Sequence, residues 1–275
     1  MQQNMTQESI TTMTDLFSLK GRVALITGGS RGIGRMIAKG FLAQGAKVYI
    51  SSRKVLACQQ TAAELSAFGT CIALPADVST VAGAKALADA FMALEPHLDI
   101  LVNNAGAAWG ESFDTFPESG WDKVVDLNLK TPFFLTQALA EPLRLAAKTR
   151  VGKVINIASI DGVSVNALET YSYAASKAGL IHLTKRMSLR MAQNNIAVTA
   201  IAPGAFASEM NKVARDHGDQ VALRVPAGRV GVDEDMAGAA IYLASRAGDY
   251  VVGATLVVDG GVSFTRQSDA GFDAE

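Results

Sequence analysis

Residues 23–45 read VALITGGSRGIGRMIAKGFLAQG and combine three features in the order that one kind of fold requires. An apolar run predicts a buried strand, a glycine-rich turn follows it, and an amphipathic stretch then predicts a helix. Glycines let the backbone approach a pyrophosphate, and the helix start offers free N–H groups and the positive end of its dipole. The alternative is an ordinary glycine-rich turn, but the strand before it and the helix after it favour a dinucleotide site.

The same alternation of strand and helix continues along the chain. Short apolar runs predict seven strands, at 23–27, 47–51, 71–75, 98–102, 153–158, 196–202 and 255–258. Longer Ala- and Leu-rich stretches predict helices at 33–44, 54–68, 80–94, 118–146, 171–193 and 233–246. The pattern predicts an α/β fold with a doubly wound parallel sheet and helices on both faces. We expect one catalytic domain over 19–263 between flexible tails at 1–18 and 264–275.

Composition excludes several classes of function. The 275 residues, 49% of them hydrophobic, suffice for one α/β domain with a substantial core. A net charge of −1 and dispersed basic residues predict no nucleic-acid partner. Cys58 and Cys71 have no metal-ligand spacing with the three histidines, so no metal is expected and the compartment is predicted to be reducing. Without a long apolar run or signal-peptide features at the start, we predict no membrane segment and a cytoplasmic location.

The stretch YSYAASK places Tyr173 and Lys177 four residues apart. On the predicted helix these two side chains lie on one face. An ammonium beside a phenol is expected to lower the tyrosine pKa from near 10 toward working pH, which makes the tyrosine a proton donor. Such a pair also occurs by chance in many helices, whereas Tyr171 has Ala175 at the equivalent position and does not compete. The pair predicts carbonyl chemistry, provided that a nucleotide site lies at the same end of the fold.

The end of the second predicted strand indicates which nucleotide binds. A site that prefers NAD usually carries an acidic residue about 20 positions beyond the glycine loop, where it accepts hydrogen bonds from the ribose. Residues 51–54 read SSRK instead, so no carboxylate would repel a phosphate. Arg53, Arg31 and Ser52 are expected to bind the adenosine 2′-phosphate, although Arg53 alone could be a solvated strand-end charge. We therefore predict NADP(H) rather than NAD(H).

Two other strand ends carry residues that suit a cofactor lying across the carboxyl edge of the sheet. Asp77 in PADV follows the third strand, where a carboxylate can accept from an adenine amino group. Asn103 begins NNAG after the fourth strand, and Ala105 and Gly106 are small enough to let a cofactor pass close to the backbone. Taken singly these residues are common turn formers. In register with the glycine loop they favour a dinucleotide site.

These motifs occur in an order that resembles the single-domain type of short-chain dehydrogenase/reductase. The resemblance covers about residues 19–262 and rests on TGGSRGIG, NNAG, the serine after VINIA, the Tyr173 and Lys177 pair, and Pro203-Gly204. It implies a single-domain Rossmann fold with seven parallel strands in the order 3-2-1-4-5-6-7. It also implies a catalytic tetrad, which by position is Asn128, Ser159, Tyr173 and Lys177.

The side chains of the implied tetrad suit their roles. The Ser159 hydroxyl donates to the substrate oxygen and stabilises the charge that develops there. Tyr173 gives the proton, and Lys177 binds the nicotinamide ribose and tunes the tyrosine. In this family the asparagine holds a water that links the lysine to solvent, a role that falls to Asn128. The cofactor-binding set implied by position is Gly28, Ser30, Arg31, Gly32, Ile33, Gly34, Ser52, Arg53, Asp77, Val78, Asn104, Ala105, Gly106, Tyr173, Lys177, Pro203, Gly204, Phe206 and Ser208.

Residues 205–228 correspond to the segment that closes over substrate in relatives. Ser208 stands where the family more often has a threonine that bonds the nicotinamide carboxamide. An apolar underside is formed by residues at near-helical spacing, namely Phe206, Met210, Val213 and Ala214. This face is interpreted either as a hydrophobic lid over an apolar substrate or as ordinary core packing.

Within the family, GGSRGIGRMIA, LDILVNNAGAAWG and IAPGAFASEM resemble the 3-oxoacyl-[acyl-carrier-protein] reductases, and FSLKGRVALITGGSRGIG with the WG after NNAG resembles their rhamnolipid-associated β-ketoacyl reductase branch. The resemblance implies reduction of a 3-oxoacyl thioester by NADPH, and relatives are usually homotetramers. An acidic acyl carrier protein is a possible partner of basic residues near the lid, which are Lys212, Arg215, Arg224 and Arg229. The alternatives are another ketone or alcohol (a polyol, a steroid or a small ketone), an extended-type sugar-nucleotide enzyme, for which the chain lacks room, and a non-catalytic NADP sensor.

Overall fold

The computed structural model describes residues 15–209 and 211–265. Seven parallel strands form one sheet in the order β3-β2-β1-β4-β5-β6-β7, which confirms the predicted fold class. The strands are β1 (Val23–Thr27), β2 (Lys47–Ser51), β3 (Cys71–Ala73), β4 (Ile100–Asn103), β5 (Gly152–Ile157), β6 (Ile196–Pro203) and β7 (Thr255–Val258). Most of the two predicted tails lies outside the described residues, and the predicted domain bounds stay a prediction.

Helices cover both faces of the sheet. They are α1 (Gly32–Ala43), α2 (Val55–Leu65), α3 (Val81–Met92), α4 (Glu118–Val125), α5 (Thr131–Ala138), α6 (Ala140–Ala146), α7 (Tyr171–Met191), α8 (Lys212–Asp216), α9 (Gly218–Ala222) and α10 (Asp233–Ala244). Alternate residues of β1 enter different cores: Ala24 and Ile26 pack with α1, α2 and α10, whereas Leu25 packs with α3, α5 and α7. Across the described part of the chain, no helix combines the length and apolar character of a membrane span.

The prediction of one uninterrupted helix at 118–146 is wrong. The stretch is helical, but it consists of α4, a π-helical segment at Asp126–Lys130, α5 and α6. Pro132 lacks the N–H that would bond the carbonyl of Asn128 four residues earlier. The Thr131 N–H instead reaches the carbonyl of Asp126, five residues back, which is the hydrogen bond of a π-helix. The wider turn carries Asn128, and π-helical turns of this kind are common at functional sites.

The two edges of the sheet differ in character. At the carboxyl edge, β1 and β4 are neighbours whose following connections run in opposite directions, and such a switch point opens a crevice for a ligand. At the amino edge lies a cluster of buried charges. Lys153, 1% exposed, contacts Asp249 at 2.8 Å between Nζ and Oδ1, and Asp99 accepts a hydrogen bond from the Val23 N–H and pairs with Arg150. The crevice therefore makes the carboxyl edge the candidate ligand-binding edge of the sheet.

Candidate active site

The conformation of the glycine loop between β1 and α1 is fixed by Asn104, which directly follows the neighbouring strand β4. The Asn104 side-chain amide donates to the carbonyls of Thr27 and Gly28, at 2.9 and 3.2 Å. Gly28 has a φ of 66°, which favours glycine, and a Cβ on Gly34 would overlap the Gly28 carbonyl and the Asn104 amide. Asn104, which was predicted to bind cofactor, therefore has a demonstrable role in shaping the loop.

The start of α1 is suited to an anion. Its first turn contains no acidic residue, and Arg31 at the N-cap makes no side-chain capping bond, so the N–H groups of the first turn face the loop without a side-chain acceptor there. Ser30 is fixed from α2 by Thr61, whose hydroxyl donates to its carbonyl at 3.0 Å, and Ile33 packs against the core. Across the loop, the Cβ of Ser208 lies 3.2 Å from where a Cβ on Gly32 would stand. The predicted residues of β1–α1 and of the segment after β6 thus meet at one place.

The end of β2 matches a phosphate-binding site. Ser52 has a buried hydroxyl oxygen with no hydrogen-bond partner in the described structure, and Arg53 beside it is exposed. Within the described residues no carboxylate forms a salt bridge with Arg53 or with Arg31. A buried hydroxyl without a partner is costly, and an oxyanion acceptor would satisfy it. The residues present therefore fit a dinucleotide that carries a phosphate at this end.

The predicted residues after β3 occupy the same edge. Asp77 is exposed, and its carboxylate accepts from the Ser79 N–H at 3.0 Å. Val78 is buried, and the Thr131 hydroxyl donates to its carbonyl at 2.6 Å. The turn is thereby fixed to α5, and the carboxylate of Asp77 is exposed at the end of β3.

Lys177 and Tyr173 meet above the end of β5. The Lys177 ammonium is buried, donates to the Ile157 carbonyl at 2.7 Å, and lies 5.5 Å from the centroid of the Tyr173 ring. Ser159, two residues beyond Ile157, is also buried, and its side chain acts to lower the pKa of the Tyr173 phenol. The three side chains predicted to act on the substrate carbonyl are therefore brought together.

Asn128 is held close to this group by the backbone that follows NNAG. Its amide donates to the Ala107 carbonyl at 2.9 Å and to the Ser176 hydroxyl at 3.1 Å, and its oxygen accepts from the Ala107 N–H at 2.8 Å. A Cβ on Gly106 would stand 3.2 Å from the Asn128 oxygen and 3.8 Å from the Lys177 nitrogen. Asn128 and Lys177 thus flank Gly106, although the structure shows no direct bond between them.

The expected direction of the tyrosine pKa shift is wrong in this structure. Burial raises the pKa of Tyr173 to about 12, and this outweighs the lowering by the Ser159 hydrogen bond. Burial also lowers the pKa of Lys177 to about 8. Both shifts have the same cause, because removal from water disfavours whichever form is charged. Tyr173 therefore holds its proton at neutral pH, as a proton donor must.

The segment after β6 only partly matches the predicted lid. Gly204 is required where it is, since a Cβ there would lie 2.6 Å from the Cβ of Asp259. Phe206 is buried in the core beside Gly231, so its side chain is a packing element. Ala214 is also buried, whereas Val213 is 61% exposed. The fourth predicted lid residue, Met210, lies outside the described residues, and the apolar face is split between core and solvent.

Asp161 is a residue of this site that the sequence analysis missed. It lies in the 3₁₀ turn Ile160–Gly162, and burial raises the pKa of its carboxyl. Its charge acts on both Tyr173 and Lys177. The signal was its position two residues after Ser159, but only the fold shows that its charge reaches the Tyr173 and Lys177 pair. Among the described residues, no group of three or more potential metal-ligating side chains is found.

The parallel sheet, the glycine loop at its switch point and the Tyr173 and Lys177 pair define a dinucleotide-dependent oxidoreductase. The chain belongs to the short chain dehydrogenase family, whose model matches residues 22–219. It is an oxidoreductase acting on CH–OH groups.

Individual members of the family are similar to this chain over nearly its whole length. The chain is 46% identical to the rhamnolipids biosynthesis 3-oxoacyl-[acyl-carrier-protein] reductase of Pseudomonas aeruginosa over 253 residues, which covers 90% of this chain and 99% of the relative. It is 38% identical to the 2-dehydro-3-deoxy-D-gluconate 5-dehydrogenase of Escherichia coli over 249 residues, with 89% and 96% covered. Among solved structures, the Pseudomonas aeruginosa RhlG/NADP active-site complex matches with a TM-score of 0.87 at 44% identity, covering 90% of this chain and 98% of that one. That neighbour binds NADP, the cofactor predicted from Arg53 and the missing carboxylate.

Proposed function

We propose that the protein is an NADPH-dependent ketone reductase whose substrate is a 3-oxoacyl thioester. The observation that carries the proposal is the pairing, at one edge of the sheet, of two sets of residues. One is Tyr173 with the buried Lys177 and Ser159, and the other is a strand end that offers Ser52 and Arg53 and no acid. The first group can protonate an alkoxide, and the second favours a phosphate on the adenosine ribose. Together they describe a reductase that uses the phosphorylated cofactor.

The cofactor would lie across the carboxyl edge of the sheet. The glycine loop and the start of α1 would bind its pyrophosphate, while Arg31, Ser52 and Arg53 would bind the 2′-phosphate. Asp77 would accept from the adenine amino group, and Ser208 would bond the carboxamide at the other end. When bound, NADPH supplies a hydride to the substrate carbonyl carbon.

The protein's own residues manage the charge and the proton. The Ser159 hydroxyl donates to the substrate oxygen and stabilises the negative charge that builds there. The Tyr173 phenol transfers its proton to that oxygen, which completes the alcohol. Lys177 binds the nicotinamide ribose and supplies a positive charge beside the tyrosinate that is left. Positioned general acids of this kind typically contribute about 10²- to 10⁴-fold in rate.

Asn128 fixes the backbone around this group. It bonds both the N–H and the carbonyl of Ala107, so it sets the path of the chain that passes between it and Lys177. We propose that it also contributes to the route by which Lys177 regains a proton from solvent. The π-helical turn at Asp126–Lys130 is what presents it there.

The substrate assignment is supported by the 46% identity with the Pseudomonas aeruginosa 3-oxoacyl-[acyl-carrier-protein] reductase. A second candidate is the ketone or alcohol of a sugar acid, which the 38% identity with the gluconate-type dehydrogenase favours. A polyol, steroid or other small ketone would use the same mechanism. A non-catalytic NADP sensor is disfavoured because Asn128, Ser159, Tyr173 and Lys177 are all present.

The structure gives less support to an acyl carrier protein as a partner than the sequence does. Arg215 pairs with Glu209 and Asp216, and Arg229 pairs with Asp235 through two hydrogen bonds. Only Lys212 and Arg224 of the predicted basic set make no salt bridge within the described residues. A coenzyme A thioester is therefore as good a candidate as a carrier-bound one.

We also propose that the protein works as a cytoplasmic homotetramer. The outer faces of α5, α6 and α7 enclose a largely apolar groove that includes Phe133, Leu183 and Met187. A groove of this kind suits helix packing between copies, and light scattering of the purified protein would measure the assembly. The two cysteines are free thiols, which suits a reducing compartment.

The proposed function is tested by following NADPH consumption with a panel of substrates. The panel contains a 3-oxoacyl coenzyme A, the same acyl group on acyl carrier protein, the 5-keto form of 2-dehydro-3-deoxygluconate, 5-ketogluconate and a simple cyclic ketone. We expect the highest kcat/KM with a 3-oxoacyl thioester. A higher value for either sugar acid would move the assignment to the second candidate, and no turnover of any substrate would favour the sensor.

A further inference from the structure

Asp161 is held beside the reacting groups by close packing of its turn. A Cβ on Gly162 would stand 2.6 Å from the carbonyl carbon of Lys177, so the turn lies directly on the backbone of α7. The Asp161 N–H donates to the Ser159 hydroxyl at 3.1 Å. The backbone of Asp161 is therefore fixed beside Ser159 and against α7.

The Asp161 carboxylate has no cation as a close partner. Its one side-chain hydrogen bond comes from the Asn166 amide at 2.8 Å, and none of the salt bridges among the described residues includes it. Its nearest positive influence is Lys177, which acts on it through charge without contact. This half-buried carboxylate therefore places a negative charge that acts on Tyr173 and Lys177, the two residues next to the substrate carbonyl in the proposed mechanism.

Other acids lie in exposed loops near the start of α7. Glu169 accepts from the Tyr171 hydroxyl at 3.0 Å and from the Phe113 N–H at 3.2 Å, so it ties together the two loops at the mouth of the site. Glu111 follows in the same pair of loops, where its N–H donates to the Glu169 carbonyl. Unlike Asp161, Glu169 is exposed and has no effect on the pKa of Tyr173 or Lys177. It therefore offers a matched control for a charge at the inner position.

We propose that Asp161 is a specificity-determining residue, whose negative charge beside Ser159 and Tyr173 makes the site favour ketones without a nearby charge over ketones that carry a carboxylate within a few bonds. The inference rests on the proposed function and deepens it. A 3-oxoacyl thioester is uncharged around its reacting carbonyl, whereas a keto sugar acid brings a carboxylate close to the repelling group. Like charges in a half-buried site repel strongly enough to change kcat/KM by about tenfold.

The test compares two substrates that share one 3-oxo group, with NADPH and the full-length enzyme: acetoacetate, which carries a carboxylate, and its uncharged ethyl ester. The ratio of kcat/KM for ester over acid is measured in the wild type, Asp161→Asn and Glu169→Gln. We expect the ratio to fall about tenfold in Asp161→Asn, because kcat/KM for the acid rises relative to kcat/KM for the ester. In Glu169→Gln we expect the ratio to stay within about twofold of the wild type.

An unchanged ratio in Asp161→Asn, or an equal fall in Glu169→Gln, would overturn the inference. Asp161→Ser removes the same charge with a smaller side chain. The same ratio is measured in this variant if Asp161→Asn does not fold. Failure of both variants to fold would assign Asp161 to the fold and also overturn it. The proposed substrate fails separately, if the wild type prefers the ester but reduces no 3-oxoacyl thioester.

Discussion

A buried lysine lies at each end of strand β5, and the two lysines have opposite electrostatic surroundings. At the start of the strand, Lys153 is 1% exposed and forms an ion pair with Asp249. At its end, Lys177 is 4% exposed and bonds only the carbonyl of Ile157. The described residues place no carboxylate within salt-bridge distance of Lys177. The charge of Lys153 is balanced by Asp249 within the fold, whereas the charge of Lys177 has no such partner and can act on a ligand.

This difference between the two lysines indicates a structural role for Lys153 and a functional role for Lys177. Burial lowers the pKa of both lysines, but at Lys153 the charge and hydrogen bond of Asp249 oppose the shift. At Lys177 the pKa falls to about 8, so its charged form costs about 3 kcal/mol at neutral pH. A protein retains such a cost where the charge serves a ligand, since strained or desolvated groups cluster at functional sites.

The largest effect is expected from Lys177→Met. Turnover should fall by about a thousandfold, because the cation beside Tyr173 and the donor to the ribose are both lost. The free energy of unfolding should rise or stay constant, because a buried charge is replaced by an apolar side chain of similar length. Steady-state kinetics and chemical denaturation of the same preparation measure both. A large loss of stability would show that Lys177 serves the fold.

The pH dependence of stability gives a control for this variant. The folded-state pKa of Lys177 lies below its unfolded value, so the penalty is fully present below pH 8 and disappears as the pH rises toward 10.5. The difference in unfolding free energy between Lys177→Met and the wild type should therefore shrink across this window. A constant difference from pH 7 to 10.5 would contradict the lowered pKa.

Asp249→Asn should affect stability and leave the chemistry intact. Loss of the partner leaves Lys153 buried without a counter-charge, and the free energy of unfolding should fall by about 3 kcal/mol. Turnover per folded molecule should match the wild type, since Lys153 lies at the opposite edge of the sheet. The control is Asp89→Asn, which breaks an exposed pair with Lys85 and should unfold close to the wild type. A loss of turnover in Asp249→Asn without unfolding would remove the distinction between the two edges.

Arg53→Asp should give the smallest of these effects and alter only cofactor choice. A carboxylate at this position repels a 2′-phosphate and can accept from ribose hydroxyls. We expect the ratio of kcat/KM for NADPH over NADH to fall by at least about tenfold. Lys85→Asp makes the same change of charge on α3, outside the predicted cofactor-binding set, and should leave the ratio unchanged. An equal ratio in Arg53→Asp and the wild type would refute the phosphate assignment.

Local patterns made much of this molecule predictable. The seven strands and their order follow from apolar runs and the family resemblance, and the Tyr173 and Lys177 pair follows from helical spacing. The break at Asp126–Lys130 was signalled by Pro132, but the choice of a π-helical turn depends on packing around Asn128. The sign of the Tyr173 pKa shift depends on burial, which spacing does not report. Asp161 reaches the site only because Gly162 packs on α7, a contact between distant parts of the chain.

The central claim is that Tyr173 gives the proton that completes ketone reduction, and a pair of tyrosine variants tests it most directly. Tyr171 starts the same helix, is exposed, and bonds Glu169 instead of the reacting group. With NADPH and a 3-oxoacyl thioester, Tyr173→Phe should lose about a thousandfold in kcat while binding NADPH as the wild type does. Tyr171→Phe should keep kcat within about twofold. Near-normal turnover in Tyr173→Phe would contradict the account.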